Sequence, residues 1–93
     1  MGIQEIETIV IECLKKNLEL SGETVPSITR ETKPACDLSG FDSLRALEVI
    51  VGLEEQFDCD LPPEKIFFSY GLEDVSVSSI AIAIEKIRKE KSK

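Results

Sequence analysis

Residues 43–57, SLRALEVIVGLEEQF, constrain this chain more than any other stretch. On a wheel turning about 100° per residue, Arg45, Glu48, Gly52, Glu55 and Gln56 fall in one arc of roughly 100°. Leu44, Ala46, Leu47, Val49, Ile50, Val51, Leu53 and Phe57 occupy nearly all of the remainder, with Ser43 and Glu54 as exceptions near the two ends. A helix apolar over most of its girth is expected at the centre of a domain, packed by several neighbours. Its one polar stripe then faces water or a partner.

The neighbours are legible on either side. Residues 3–20 carry Ile3, Ile6, Ile9, Val10, Cys13, Leu14 and Leu18, the i, i+3, i+4, i+7 spacing of an amphipathic helix. Cys13 thereby reads as a small core residue. Residues 21–41 hold Gly22, Pro26, Pro34 and Gly40 among Ser and Thr. They predict a long first loop, and loops of this length in compact domains are often functional. After the central helix, Pro62-Pro63-Glu64 starts a short helix through about Phe68, with Pro in its first turn, and Gly71 ends that stretch. Residues 77–89 fit a strand through Ile80, Ile82 and Ile84, and equally fit a helix face through Val77, Ile80, Ala81, Ile84 and Ile87. Ser76 as N-cap, the lack of Gly and Pro, and a basic last turn favour the helix, which leaves Ile82 off its apolar face. The expected fold is all-α: a four-helix bundle of three longer helices and one short helix, with a long first loop. We expect a single domain, 1–93, ordered over about 3–89, with a basic tail at 90–93.

Eleven Lys and Arg against 18 Asp and Glu give a formal charge of -7. All of it resides in residues 42–74, which hold Asp42, Glu48, Glu54, Glu55, Asp58, Asp60, Glu64, Glu73 and Asp74 against Arg45 and Lys65. A chain this acidic lacks the clustered cations that nucleic acids or anionic membranes require. Its apolar runs fall far short of the about 18–20 residues of a bilayer span, and MGIQEIETIV lacks the basic start of a secretory signal. The expectation is a soluble, cytoplasmic protein, with nothing demanding more than a monomer. Cys13, Cys36 and Cys59 form no C-x-x-C pair, so reduced thiols and no metal are expected. The absence of His removes Ser-His and Cys-His nucleophile pairs, and no catalytic residue is assigned.

Gly40-Phe41-Asp42-Ser43-Leu44 places a hydroxyl at the N-terminal end of the central helix. With no His to deprotonate it, Ser43 has no catalysis of its own. It can serve as a plain N-cap or first-turn residue. Alternatively, a phosphodiester on its oxygen would lie at the positive end of the helix dipole, near unpaired N–H groups. The position therefore suits modification by another enzyme.

From about Asp37 to Ile87 the sequence resembles the acyl carrier protein family. The resemblance is carried by Asp42-Ser43-Leu44, Leu47-Glu48, Leu53-Glu54-Glu55 with Phe57, Leu61-Pro62 and Ser76-Val77. It implies that Ser43, beside Asp42, is esterified by 4′-phosphopantetheine, donated from coenzyme A by a phosphopantetheinyl transferase. The terminal thiol of that arm would carry acyl groups as thioesters to acyl-transferring, ligase or synthase enzymes. The resemblance further implies that basic patches of those enzymes read the second helix. Asp42, Glu48, Glu54 and Glu55 would be the acidic contacts, and Leu44 and Val51, bordering the polar arc, the apolar ones. Surface charge of this kind steers encounter more than it deepens affinity.

Three departures from the family pattern stand out. Arg45 inverts one charge of the stripe, Phe41 stands where a small residue is usual, and the first loop carries Cys36 in a Ser/Thr-rich run. They favour a specialised carrier, in a polyketide, modified-lipid or aminoacyl pathway, over one of housekeeping fatty acid synthesis. Asp42 rather than His before Ser43 leans towards acyl over peptidyl cargo. An unmodified helical interaction module is the remaining alternative. A calcium-binding loop from Asp37 to Glu48 fails because Asp42 stands where glycine is needed.

Overall fold

The computed structural model describes residues 2–20, 22, 24–38, 40–67 and 71–91, Lys91 by its backbone alone. Five α-helices follow in order: α1 Ile3–Leu20, α2 Pro34–Asp37, α3 Ser43–Phe57, α4 Pro63–Ile66 and α5 Val77–Lys91, with a 3-10 turn at Leu72–Asp74 before the last. No strand occurs among the described residues. The three long helices stand where hydrophobic period put them. α5 runs past residue 89, so Glu90 and Lys91 extend the helix.

α1 packs on both α3 and α5, and α4 packs on α5 and α3. Ile6, Val10, Leu14 and Leu18 of α1 meet Ala46, Val49, Ile50 and Leu53 of α3 and Val77, Ile80, Ala81 and Ile84 of α5 in one core. Leu61, Ile66 and Phe67 close its end. Each Val, Leu, Ile or Phe among them contributes about 1.5–3 kcal/mol on burial, which holds three helices that would be marginal alone.

The expectation of a centrally packed α3 needs correction. Only Ala46, Val49, Ile50, Leu53 and Phe57 are buried on it; Leu44, Leu47 and Val51 are 66%, 42% and 56% exposed. A domain this small has little cover to offer. The main neighbours of α3 are α1 and the single turn of α4, so one apolar edge is left open.

The long loop is also more ordered than its composition suggests. α2 lies inside it, with Pro34 in its first turn and the Asp37 carboxylate accepting from the Lys33 N–H at 2.8 Å. Four residues are too few to display a period, so α2 was invisible in the sequence. Upstream, Thr29 N–H donates to Thr32 Oγ1 at 2.9 Å, and Glu31 N–H to Thr29 Oγ1 at 3.2 Å. The carbonyls of Thr32 and Arg30 accept from Val77 N–H at 2.9 Å and Ser78 N–H at 2.8 Å. These satisfy two of the donors that every helix start leaves over. Arg30 Nε also stands 3.3 Å from Oε2 of Glu7, an acid buried on α1 that sequence reading passed over. The loop is thus fastened to both α1 and α5.

Ser76 caps α5 as its sequence position suggests. Ser79 N–H donates to Ser76 Oγ at 3.2 Å, and Ser76 N–H donates to Ser79 Oγ at 2.9 Å, a reciprocal cap. α4 ends at Ile66 with Phe67 as its C-cap; Phe68, its expected last residue, lies outside the described residues. Gly71, at φ 92, turns the chain into the 3-10 turn, in a backbone region that favours glycine.

Candidate functional site

The start of α3 is held from two sides. Asp42, not Ser43, is the N-cap: its Oδ1 accepts from Arg45 N–H at 3.0 Å, and its carbonyl accepts from Ala46 N–H at 2.9 Å. One residue earlier, Phe41 is buried, its ring 6.0 Å from that of Phe67. The large residue at this position, a departure from the family pattern, is therefore a peg that fixes where the loop enters the helix. Cap and peg leave Ser43 as the first helical residue, exposed to solvent.

Not every serine at a helix start is available in this way. Ser76 and Ser79 at the start of α5 are half-buried and bonded to each other and to backbone N–H groups. No acceptor or donor for the Ser43 hydroxyl is found among the described residues. Its oxygen is open, and the end of the helix dipole lies behind it.

Replacing the cap tests this geometry. Asp42→Ala is expected to lower stability by about 0.5–2 kcal/mol, read as a fall in the urea midpoint. Asp42→Asn keeps the cap and should restore most of that loss.

Downstream of Ser43, α3 presents a mixed face. Leu44, Leu47 and Val51 recur at i, i+3 and i+7 and form one exposed apolar edge. Glu55 is exposed, and Glu48, also exposed, accepts from Asn17 Nδ2 at 3.3 Å. Glu54 departs from its expected place. Its Oε2 accepts from Leu61 N–H at 2.9 Å, so this acid ties the following loop to the helix. Half-buried Arg45 lines a shallow recess beside the helix start together with Asn17, Leu20, Asp42, Leu44 and Glu48. Sequence reading missed Leu47, which the wheel placed among core residues, and Leu20, which is 80% exposed at the end of α1.

Cys13 lies in the groove between α1 and α3. Burial pushes its thiol up, against a partial offset from Lys16, with Glu12 adding to the rise. It is a poor nucleophile at neutral pH for that reason. Among the described residues, no group of three or more His, Cys, Asp or Glu could hold a metal ion, and no helix is long and apolar enough to cross a membrane.

The start of α3 thus presents an open hydroxyl at a capped helix end, with a mixed acidic and apolar face below it. Residues 8–84 match the family model described as phosphopantetheine attachment site, and the chain belongs to that family. No solved structure matches it. Members are carrier domains, not catalysts, and bear a covalent 4′-phosphopantetheine. The residues at the start of α3 fit such a group. The hydroxyl is exposed, the recess beside it is open, and the N–H groups of Ser43 and Leu44 have no acceptor among the described residues. When bound, the group supplies a flexible arm ending in a thiol.

Proposed function

We propose that Ser43 is the attachment point and that the chain is an acyl carrier protein. In this reading it holds acyl intermediates as thioesters and delivers them to partner enzymes of fatty acid, polyketide or related specialised lipid biosynthesis in the cytoplasm. The observation that carries the reading is the exposed Ser43 hydroxyl held at the first position of α3 by the Asp42 cap. In the loading reaction, Ser43 Oγ bonds to the phosphorus that carries pantetheine in coenzyme A. The P–O bond to the other phosphate breaks, 3′,5′-ADP leaves, and the hydroxyl proton passes to a base of the transferase. The whole chain, 1–93, acts as one carrier domain.

The exposed face of α3 is the surface that partners read. Leu44, Leu47 and Val51 provide apolar contact, Asp42, Glu48 and Glu55 provide charge, and Arg45 asks for an acid within an otherwise basic partner patch. Glu54 contributes less than its neighbours because it is bound to Leu61 N–H.

The test is to incubate the wild-type protein with coenzyme A and a broad-specificity phosphopantetheinyl transferase and to weigh it. One added phosphopantetheine group supports the reading; no mass change on folded protein overturns it. Charge reversal at Glu48 and Glu55 tests the recognition face. It should slow transferase association at low salt and leave the circular dichroism spectrum unchanged, and the difference should shrink as ionic strength rises. Rates unaffected by salt in both proteins would reduce the stripe to a solubility feature.

A further inference from the structure

Leu20 ends α1 more exposed than any other large apolar side chain among the described residues, and it takes no part in the core. A single exposed leucine is ordinary, but this one is not single. It lines one recess with Asn17 of α1 and with Asp42, Leu44, Arg45 and Glu48 at the start of α3. Asp42 and Leu44 are the chain neighbours of Ser43 on either side. The recess beside the open hydroxyl is therefore lined by one exposed leucine from each helix. The two helices are tied together at this point. Asn17, one turn before Leu20, donates from Nδ2 to Oε1 of Glu48 at 3.3 Å, and Leu18 is buried in the core on which α3 packs. Fixing the end of α1 against α3 places Leu20 before any partner arrives, so little ordering is left to oppose binding.

We propose that Leu20 is a contact residue for the enzyme that loads Ser43. The surface that the phosphopantetheinyl transferase reads crosses from α3 onto the end of α1, and an apolar side chain of the transferase enters the recess between Leu20 and Leu44. The inference rests on Ser43 as the attachment point. The position of the recess selects its occupant. A transferase can join Ser43 Oγ to phosphorus only by bringing its own active site over Ser43, and it then covers Asp42 and Leu44. A specific interface of standard size covers about 800 Å2 of each partner, far more than the two residues flanking one hydroxyl. The far side of a recess that these two residues line falls inside that footprint. Enzymes that act on the thioester work at the far end of a flexible arm and need not cover the recess. Contact removes the apolar surface of Leu20 and Leu44 from water, which favours association. Leu20 touches no reacting atom, so it acts on binding and not on the transfer step.

The experiment follows phosphopantetheine transfer to the full-length protein by a broad-specificity phosphopantetheinyl transferase, at saturating coenzyme A and varied carrier concentration. Leu20→Asp should raise KM for the carrier by roughly five- to tenfold and leave kcat unchanged. Leu20→Met, which keeps the apolar surface, should restore most of the loss. Ile82→Asp on α5, an equal change at an exposed position that shares no recess with the start of α3, should load as the wild type does. Circular dichroism and thermal midpoints check that the variants are folded. A second readout needs no chemistry: titrating the isotope-labelled, unloaded protein with the transferase should shift the amides of residues 17–20 together with those of 42–48. An unchanged KM for Leu20→Asp, a loss in kcat alone, an equal loss in Ile82→Asp, or shifts confined to α3 would each overturn the proposal. So would shifts at residues 17–20 that arise only on loading, because the recess would then belong to the arm. If the wild type accepts no group, the attachment reading falls and this one with it. If the wild type loads and Leu20→Asp loads equally well, only this one falls.

Discussion

Ser43→Ala is expected to gain no mass from coenzyme A and a phosphopantetheinyl transferase, while its thermal midpoint stays within error of the wild type. The effect on loading is all or none because, in the proposed reading, Oγ of this residue is the atom that bonds to phosphorus. The effect on stability is small because the hydroxyl is exposed and makes no hydrogen bond among the described residues. Asp42, not Ser43, supplies the cap. Exposed substitutions of this kind usually change stability by no more than about 0.5 kcal/mol. Should Ser43→Ala unfold the protein, the hydroxyl would have a structural role that the capping geometry assigns to Asp42. Continued loading of the variant would move the attachment elsewhere.

Phe67→Ala has the largest expected effect on stability. Phe67 is fully buried at the end of α4, and its ring tilts 43° against that of Phe41. Truncation of a buried Phe removes about 3–5 kcal/mol through lost burial and a residual cavity, and the aromatic pair adds about 0.5–1.5 kcal/mol beyond its area. A domain of this size has about 5–15 kcal/mol in all, so the variant is expected to melt about 15 °C or more below the wild type. The loss should reach the start of α3, because Phe41 precedes the Asp42 cap. Phe67→Leu, which keeps most of the volume, should recover the larger part of the stability. A midpoint within a few degrees of the wild type for Phe67→Ala would contradict the role given to this pair.

Period explains why so much of the fold could be read from the chain. α1 and α3 each repeat an apolar side over four or more turns, and for both of them the expected residues, 3–20 and 43–57, are the observed ones. α5 was ambiguous between strand and helix until its caps were weighed, and the Ser76–Ser79 cap is formed. Elements of one turn left no such signal, which is why α2 and the 3-10 turn at Leu72–Asp74 went unseen. Sequence also cannot say how much of an apolar helix a small domain will cover. Leu47 looks like core on a wheel and is surface because too few elements flank α3, whereas Leu44 and Val51, read as bordering the polar arc, are exposed as that place suggests.

The same distinction runs through the candidate site. The position of Ser43 at a helix start was legible from the loop glycine, the Asp and the periodic run that follows. The sharing of roles was not: Asp42 caps, Phe41 anchors, and Glu54 turns back to Leu61. Each depends on a residue distant in sequence or on a side-chain rotamer that spacing does not encode. Glu7 and Arg30 illustrate the point most clearly. A buried acid on one helix and a loop cation become a pair only when the first loop folds back across α1.

The most direct measurement of the central claim is fragmentation mass spectrometry of protein loaded from coenzyme A. The account predicts one phosphopantetheine, carried by the peptide that contains Asp42-Ser43-Leu44 and located on Ser43. A group found on Ser76, Ser78 or Ser79, the serines at the other long-helix start, or a folded wild-type protein that accepts none, would contradict it.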